Sequence, residues 1–149
     1  METYSEIVSD KLNDLLEKIY DAEKGYQKAA ENVEHTGLKN FFNRKAKERY
    51  DFGHELKAEI KAFGEEPNKG GSITGNLHRT WMDLKQYFGS NNTAAMLQEA
   101  IRGEKATIDA YREVLEDTTL PEKTKIILQK QMVYISKDVS KEILLEDLN

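Results

Sequence analysis

The chain has 149 residues, of which 33% are charged and 38% hydrophobic, and its formal net charge is −5. This length favours a single domain over residues 1–149, and the lack of a basic block argues against nucleic acid as a partner. The chain contains no cysteine, so disulfides and thiolate metal sites are excluded. No apolar run reaches membrane-spanning length and no signal peptide is recognisable, so we expect a cytoplasmic protein without a membrane partner.

The first two helices are marked by apolar residues that recur in steps of four and three. In the first they are Val8, Leu12, Leu15, Ile19, Ala22, Tyr26, Ala29 and Val33. The pattern predicts a helix from about Thr3 to His35, closed by Gly37 as a C-terminal cap. A second helix follows over 42–63, and Gly64 and then Pro67 are expected to end it.

A spacer separates these helices from two more. After the candidate N-cap Ser72, the residues Leu77, Trp81, Leu84 and Phe88 predict a shorter amphipathic helix that ends at Gly89. A third helix is predicted to open at Asn91, Asn92 and Thr93 and to run to about Asp117, and a fourth begins at Leu120–Pro121. The inward stripe of the fourth helix is Leu128, Met132, Ile135, Val139 and Ile143, flanked by Gln131 and Asp138.

The length of the spacer decides the topology. Its helix of roughly 17 residues spans about 25 Å, close to the length of a bundle, so the third helix can run parallel to the second. The predicted fold is therefore all-α: a ferritin-like four-helix bundle with an additional helix in the long crossover.

One carboxylate interrupts the stripe of the third helix. Glu104 lies in register with Leu97, Ile101, Ile108, Tyr111 and Leu115, where burial without a partner costs several kcal/mol. On the second helix Arg49 holds an inward position, on the first Glu23 lies one step off the stripe, and on the fourth Gln131 flanks it. We expect these four residues to share one buried polar layer.

Two interpretations of this layer remain open. In the first, the guanidinium of Arg49 binds Glu23 and Glu104, and Gln131 satisfies the remaining lone pairs. Such a network fixes helix register, and the protein is then a structural bundle without catalytic residues or cofactor.

In the second interpretation, Glu23 and Glu104 are ligands of a di-metal centre that holds iron or manganese, as in an oxidoreductase or an iron-binding protein. Di-metal bundles also take Glu-x-x-His from two helices. Asp51 and His54 have that spacing but face outward, and the fourth helix contains no histidine. We therefore prefer the structural interpretation.

Several motifs carry a family resemblance. They are LNDLLEKIYDAEKGY in the first helix, ER-x-x-F-x-x-EL over 48–56, GS-x-x-G-x-LHR-x-W over 71–81 and EA-x-RGE over 99–104. With them the chain resembles a bacterial family of ferritin-like four-helix-bundle proteins catalogued as a domain of unknown function. The resemblance implies the ferritin-like fold and a helical crossover, and it implies no known reaction.

The resemblance also bears on the metal interpretation and on partners. The family pattern has His-Asp in the fourth helix where this chain has Lys137-Asp138, which counts against a metal here. By analogy we expect a homo-oligomer with a stress-associated role and no identifiable small-molecule substrate. His78 is interpreted as part of the segment by which Trp81 anchors the crossover helix.

Overall fold

A computed structural model of the chain describes residues 2–69, 93–117 and 119–147. These residues form four α-helices and no strand: α1 Tyr4–Asn32, α2 Thr36–Ala62, α3 Thr93–Asp117 and α4 Glu122–Asp147. The all-helical prediction is therefore confirmed for this part of the chain, and the crossover helix predicted over 72–89 lies outside it. Among the described helices, none has both the length and the apolar character that a membrane crossing requires.

Side-chain caps explain where α1 and α2 begin. The Oγ1 atom of Thr3 accepts a hydrogen bond from the Glu6 N–H at 3.2 Å, as an N-cap residue does. The Nδ1 atom of His35 accepts from the Leu38 N–H at 3.1 Å and caps α2 in the same way. The prediction that Gly37 closes the first helix is wrong, because His35 starts α2 before it and Gly37 lies in the first turn of that helix.

The end of α2 is built around Gly64, as predicted. Its φ angle is +80°, in the left-handed region that favours glycine. The Gly64 N–H donates to the Lys61 carbonyl at 2.9 Å, and the Glu65 N–H donates to the Ile60 carbonyl at 3.2 Å. This pair of bonds is a Schellman motif, which satisfies carbonyl groups that the last helical turn leaves free.

Two contacts near helix ends show the directions of the helices. The Tyr4 hydroxyl at the start of α1 donates to the carbonyl of Thr119, just beyond α3, at 2.6 Å. The Thr124 hydroxyl at the start of α4 donates to Glu59, near the end of α2, at 2.7 Å. Therefore α1 is antiparallel to α3, and α4 is antiparallel to α2.

The packing of the four helices places α2 and α3 at opposite corners of the bundle. α1 packs against α2 and α3, and α4 packs against α3 and α2. Only residues 33–35 join α1 to α2, so these two helices are antiparallel neighbours. It follows that α2 and α3 run in the same direction, and that the end of α2 and the start of α3 lie at opposite ends of the bundle.

The buried apolar residues form two clusters. One contains Ala22, Ala29, Phe42 and Met96, among others, and the other contains Leu12, Leu16, Leu56, Leu128 and Ile135. The guanidinium of Arg49 lies 5.8 Å from the ring of Tyr26 in the first cluster and 5.5 Å from the ring of Phe52 in the second. A buried polar layer around Arg49 therefore lies where the two clusters meet.

α4 is rotated from its predicted orientation. The predicted inward stripe included Ile143, which is 39% exposed, whereas Glu142 is fully buried in its place. Asp138 is also buried, and both acids have partners on other helices. Because a buried carboxylate needs its partner more than an isoleucine needs burial, these contacts set the orientation of the helix.

Candidate functional site

Arg49 is the centre of the buried polar layer. It lies in the middle of α2, in register with the buried Phe42, Ala46 and Leu56, so the helix turns its side chain into the core. The side chain is fully buried. A guanidinium is charged under all ordinary conditions, so burial on this scale requires partners for its N–H groups.

The partners of Arg49 are carboxylates from three helices. Its Nη2 donates to Oε2 of Glu104 on α3 and, at 3.0 Å, to Oδ2 of Asp138 on α4. Its Nη1 donates to Oε1 of Glu48, the preceding residue of α2. Glu104 is fully buried and Asp138 nearly so, whereas the Glu48 side chain is 23% exposed. One cation therefore ties α2 to both helices of the α3–α4 hairpin.

A second cation, Lys45, supports the same site. It lies one turn before Arg49, is buried, and its Nζ donates to Oδ1 of Asp138. Asp138 thus accepts from two cations on α2, one on each of its oxygens. Nζ of Lys45 also lies 3.9 Å from Oε2 of Glu48. Lys45, Glu48, Arg49 and Asp138 therefore form one connected network between α2 and α4.

Tyr26 extends the network to α1. Its hydroxyl is fully buried and donates to Oε1 of Glu142 on α4. Oε1 of Glu104, Oε2 of Glu142 and Nε of Arg49 are buried without a hydrogen-bond partner among the described residues. Two carboxyl oxygens and one guanidinium nitrogen of the network are therefore left unpaired within the described part of the chain.

Burial acts on the pKa of each of the four acids of the site, which are Glu48, Glu104, Asp138 and Glu142. Burial, and next the charge of Glu104, raise the pKa of Glu142 well above its ordinary value. The pKa of Glu104 is also raised, because burial outweighs the opposing effect of the neighbouring Arg49 guanidinium. Because Arg49 keeps its charge and donates directly to Oε2, this pair is an ionised salt bridge. For Glu142, by contrast, no cation offsets burial to the same extent, so its raised pKa favours the neutral acid, and its unpartnered Oε2 is free to carry the proton.

In the Asp138–Glu48 pair, the pKa of one acid is raised and the pKa of the other is lowered. Burial and a hydrogen bond to Asp138 raise the pKa of Glu48 to about 7. For Asp138, burial favours the neutral form, but the hydrogen bond with Glu48 and the charges of Arg49 and Lys45 outweigh it and lower the pKa. The site therefore balances two ionised carboxylates against two cations, with Glu48 as a titratable group at its edge.

Of the four residues predicted to share the layer, the structure brings together Arg49 and Glu104. Glu23 is only partly buried, and its carboxylate accepts from Gln27 at 3.4 Å. The charges nearest to it are those of Lys57, Lys24 and His54, none of which belongs to the network. The assignment of Glu23 to the layer is wrong because α1 enters the layer at Tyr26, almost one turn further along.

Gln131 is buried as predicted but serves a different layer. Its Oε1 accepts from the Tyr111 hydroxyl at 2.6 Å, and its Nε2 donates to the Phe52 carbonyl at 3.3 Å and to Glu55 at 3.2 Å. Its predicted contact with the Arg49 carboxylates is therefore wrong. Gln131 lies almost two turns before Asp138, so its amide meets α2 at a different level of the bundle.

The other candidate ligands are not at the site. Asp51 pairs with Lys47 at 2.7 Å on the exposed face of α2, and His54 packs on the ring of Tyr50 at 4.5 Å. His78 lies outside the described residues. Within the described residues, no group of three or more His, Asp or Glu side chains is arranged to hold a metal ion.

Sequence reasoning missed Lys45 and Glu142. Glu142 follows Leu128 and Ile135 at seven-residue spacing, which is a signal for the same helix face. That signal was hidden by the adjacent Ile143, whose apolar side chain made the neighbouring stripe look more complete. Lys45 precedes Arg49 by four residues and therefore shares its side of α2, but a lysine at such a position is usually solvated.

The chain was compared with known protein families and with curated proteins. Residues 7–117 match the model of a family described as Domain of unknown function (DUF2383). The match contains Arg49 and Glu104, and it ends before Asp138 and Glu142. No curated protein matches the sequence.

Proposed function

We propose, from the premise that this chain belongs to the DUF2383 family, that it is a non-catalytic structural bundle held in register by a buried ion network. The observation that carries this proposal is the position of Arg49 between Glu104 and Asp138. The chain's own guanidinium lies between the carboxylates of two helices, where a bound cation would otherwise be needed. The charges of these two carboxylates are thereby balanced by cationic side chains of the chain itself, Arg49 and Lys45.

The free energies of buried ion pairs suggest that the network selects one helix register more than it adds to stability. A buried ion pair gains little over apolar packing, but loss of one partner costs roughly 3–5 kcal/mol. If α2 slid by one turn, about 5.4 Å, Arg49 would be separated from both Glu104 and Asp138. The network therefore penalises alternative registers of the α3–α4 hairpin against α2.

The finer fold assignment belongs to the same proposal. The parallel directions of α2 and α3, together with the antiparallel hairpins on either side, support a ferritin-like bundle with one long crossover. The cysteine-free sequence supports a cytoplasmic location. A bacterial origin, a homo-oligomeric state and a stress-associated role rest on the family resemblance.

The di-metal centre of ferritin-like enzymes does not fit the residues present. Arg49 donates to Glu104, the best candidate ligand, and its positive charge would repel a metal dication there. Glu23, the second candidate, lies outside the network. The proposed function therefore involves no reaction at iron or manganese.

Metal analysis after expression in iron-rich medium tests this proposal. We expect less than stoichiometric iron and manganese in the purified wild-type protein, and the same amounts in Glu104→Gln. Elemental analysis by mass spectrometry measures both metals directly. Stoichiometric iron or manganese in the wild type that disappears in Glu104→Gln would overturn the structural function in favour of a metal-binding one.

A further inference from the structure

The outer face of α4 carries a stripe of three exposed apolar residues. Ile126, Val133 and Leu144 are 53%, 50% and 65% exposed, and they follow one another at spacings of seven and eleven residues. Those spacings place all three on one line along the helix, about 27 Å long. A helix packed lengthwise along α4 would contact all three of these side chains.

A row of lysines runs beside this stripe. Lys123, Lys130 and Lys137 are exposed and repeat every seven residues, and Lys141 continues the row. Nζ of Lys123, at one end of the row, also lies 3.6 Å from Oε2 of Glu59 on α2. Between Lys123 and Leu144, the acids of this helix are Asp138 and Glu142, and both are buried in the ion network. The exposed face over this stretch is therefore basic, although the whole chain has a formal net charge of −5.

A groove of about 270 Å³ lies beside the stripe, between α3 and α4, and Lys137 lies at its edge. It is lined by Arg112, Met132, Val133, Ser136, Lys137 and Ser140. The Ser136 and Ser140 hydroxyls donate to carbonyls of α4 one turn earlier, at 2.9 and 3.3 Å. Since these hydroxyl protons are already used, the groove offers mainly apolar surface to a side chain that enters it.

The charges distinguish between possible occupants of this face. In an antiparallel two-fold dimer through α4, the lysine rows of the two copies would face each other, and like charges oppose that contact. A helix with acidic residues beside an apolar stripe matches both the lysine row and the groove. Helix-in-groove recognition of this kind uses anchors at i, i+3, i+4 and i+7.

We propose that the outer face of α4 is a docking surface for an acidic amphipathic helix of another protein. Apolar side chains of that helix pack on Ile126, Val133 and Leu144, and one of them enters the groove beside Val133. Carboxylates spaced by seven residues pair with Lys123, Lys130 and Lys137.

A designed peptide tests this surface on the full-length protein. The probe is a fluorescein-labelled, three-heptad helical peptide with leucine on one face and glutamate beside it, and its binding is measured by fluorescence anisotropy. We expect saturable binding that weakens about tenfold in the triple variant K123E/K130E/K137E, because three surface charge pairs are lost. A peptide with lysine in place of glutamate should bind the triple variant more tightly than the wild type.

A matched control uses lysines on another helix. The variant K11E/K24E/K28E makes the same charge change on exposed positions of α1, and it should leave peptide affinity unchanged. A second variant, Val133→Asp, removes the central apolar contact with no change to the lysines and should also weaken binding. Circular dichroism melts show whether each variant remains folded.

Three outcomes would overturn the proposal. The first is no saturable binding of the acidic peptide, or equal losses in the α4 and α1 lysine variants. The second is tighter binding to vesicles of anionic phosphatidylserine than to the peptide, which would make the face a membrane contact. The third is sedimentation of the wild type as a dimer that Val133→Asp dissociates, which would make it a self-interface.

Discussion

Glu142 shows most clearly how the environment of a single residue sets its chemistry. It is fully buried, accepts from Tyr26, and lies close to the ionised Glu104. Both cations of the site are already paired with other carboxylates. With no cation left for it, Glu142 avoids the cost of a buried charge by keeping its proton.

This protonation predicts a pH dependence of stability. The unfolded chain releases the Glu142 proton near pH 4.3, whereas burial keeps the pKa in the folded state well above that value. The folded state therefore binds more protons over this range, and the free energy of unfolding falls as pH rises, by about 1.4 kcal/mol per pH unit for one group. Glu48, with a pKa of about 7, adds to the same trend up to neutral pH.

Urea unfolding of the wild type and of Glu142→Gln between pH 5 and 8 measures the effect. We expect the wild type to lose stability with rising pH and the variant to lose clearly less. Asp138, whose pKa is lowered, acts only in acid, where its contribution disappears as pH falls through its folded-state pKa. The exposed Glu34→Gln serves as the control, and equal slopes in all three proteins would show that Glu142 does not keep its proton.

Among the helices, α2 and the turn that ends it include two glycines with opposite requirements, Gly53 and Gly64. Gly53 is buried inside the helix, and a Cβ atom there would lie 3.8 Å from Ile19 and Leu16, an ordinary contact distance. Gly64 follows the helix with a φ of +80°, which side chains of L-residues rarely adopt. One position tolerates a methyl group and the other does not.

Alanine substitutions at these positions should therefore change stability in opposite directions. We expect Gly53→Ala to stabilise the protein by about 0.5–1 kcal/mol, because alanine is the better helix former. Gly64→Ala should destabilise it by about 1 kcal/mol, because the left-handed conformation is strained for alanine. Urea unfolding measures both, and a destabilised Gly53→Ala would mean that α1 and α2 pack too closely there for a methyl group.

Helix ends and inward positions were predictable to different degrees. The end of α2 followed from Gly64, and Arg49 and Glu104 were found because each interrupts an apolar stripe. The pairing of Arg49 with Glu104 was predicted, but their other partners could not be assigned, because spacing along one helix does not show how far it is shifted or rotated against its neighbours. A shift of almost one turn along α1 replaces Glu23 with Tyr26, and a rotation of one residue on α4 replaces Ile143 with Glu142.

In the whole molecule, the ion network connects two hairpins. Arg49 and Lys45 on α2 bind acids of α3 and α4, and Tyr26 on α1 binds Glu142 on α4. These contacts join the α1–α2 hairpin to the α3–α4 hairpin at the level where the two apolar clusters meet. Docking of the hairpins therefore depends on charge pairing as well as on apolar packing.

Compensating substitutions test this connection. Arg49→Met should destabilise the bundle by roughly 3–5 kcal/mol, because it leaves the Glu104 carboxylate buried without its cation. The double variant R49M/E104L should recover much of that loss, while the matched control R49M/E23L should recover none. Free energies of unfolding in urea distinguish these results, and a neutral Arg49→Met would contradict the burial of Arg49 among these acids.

The buried Glu142 also alters how the charge of the native molecule should be counted. The formal net charge of −5 treats every carboxyl group as ionised. At a pH between the unfolded-state and folded-state pKa values of Glu142, the native protein is less negative than its composition indicates, and folding takes up a proton from the buffer. The measured heat of folding will therefore depend on the ionisation enthalpy of the buffer chosen.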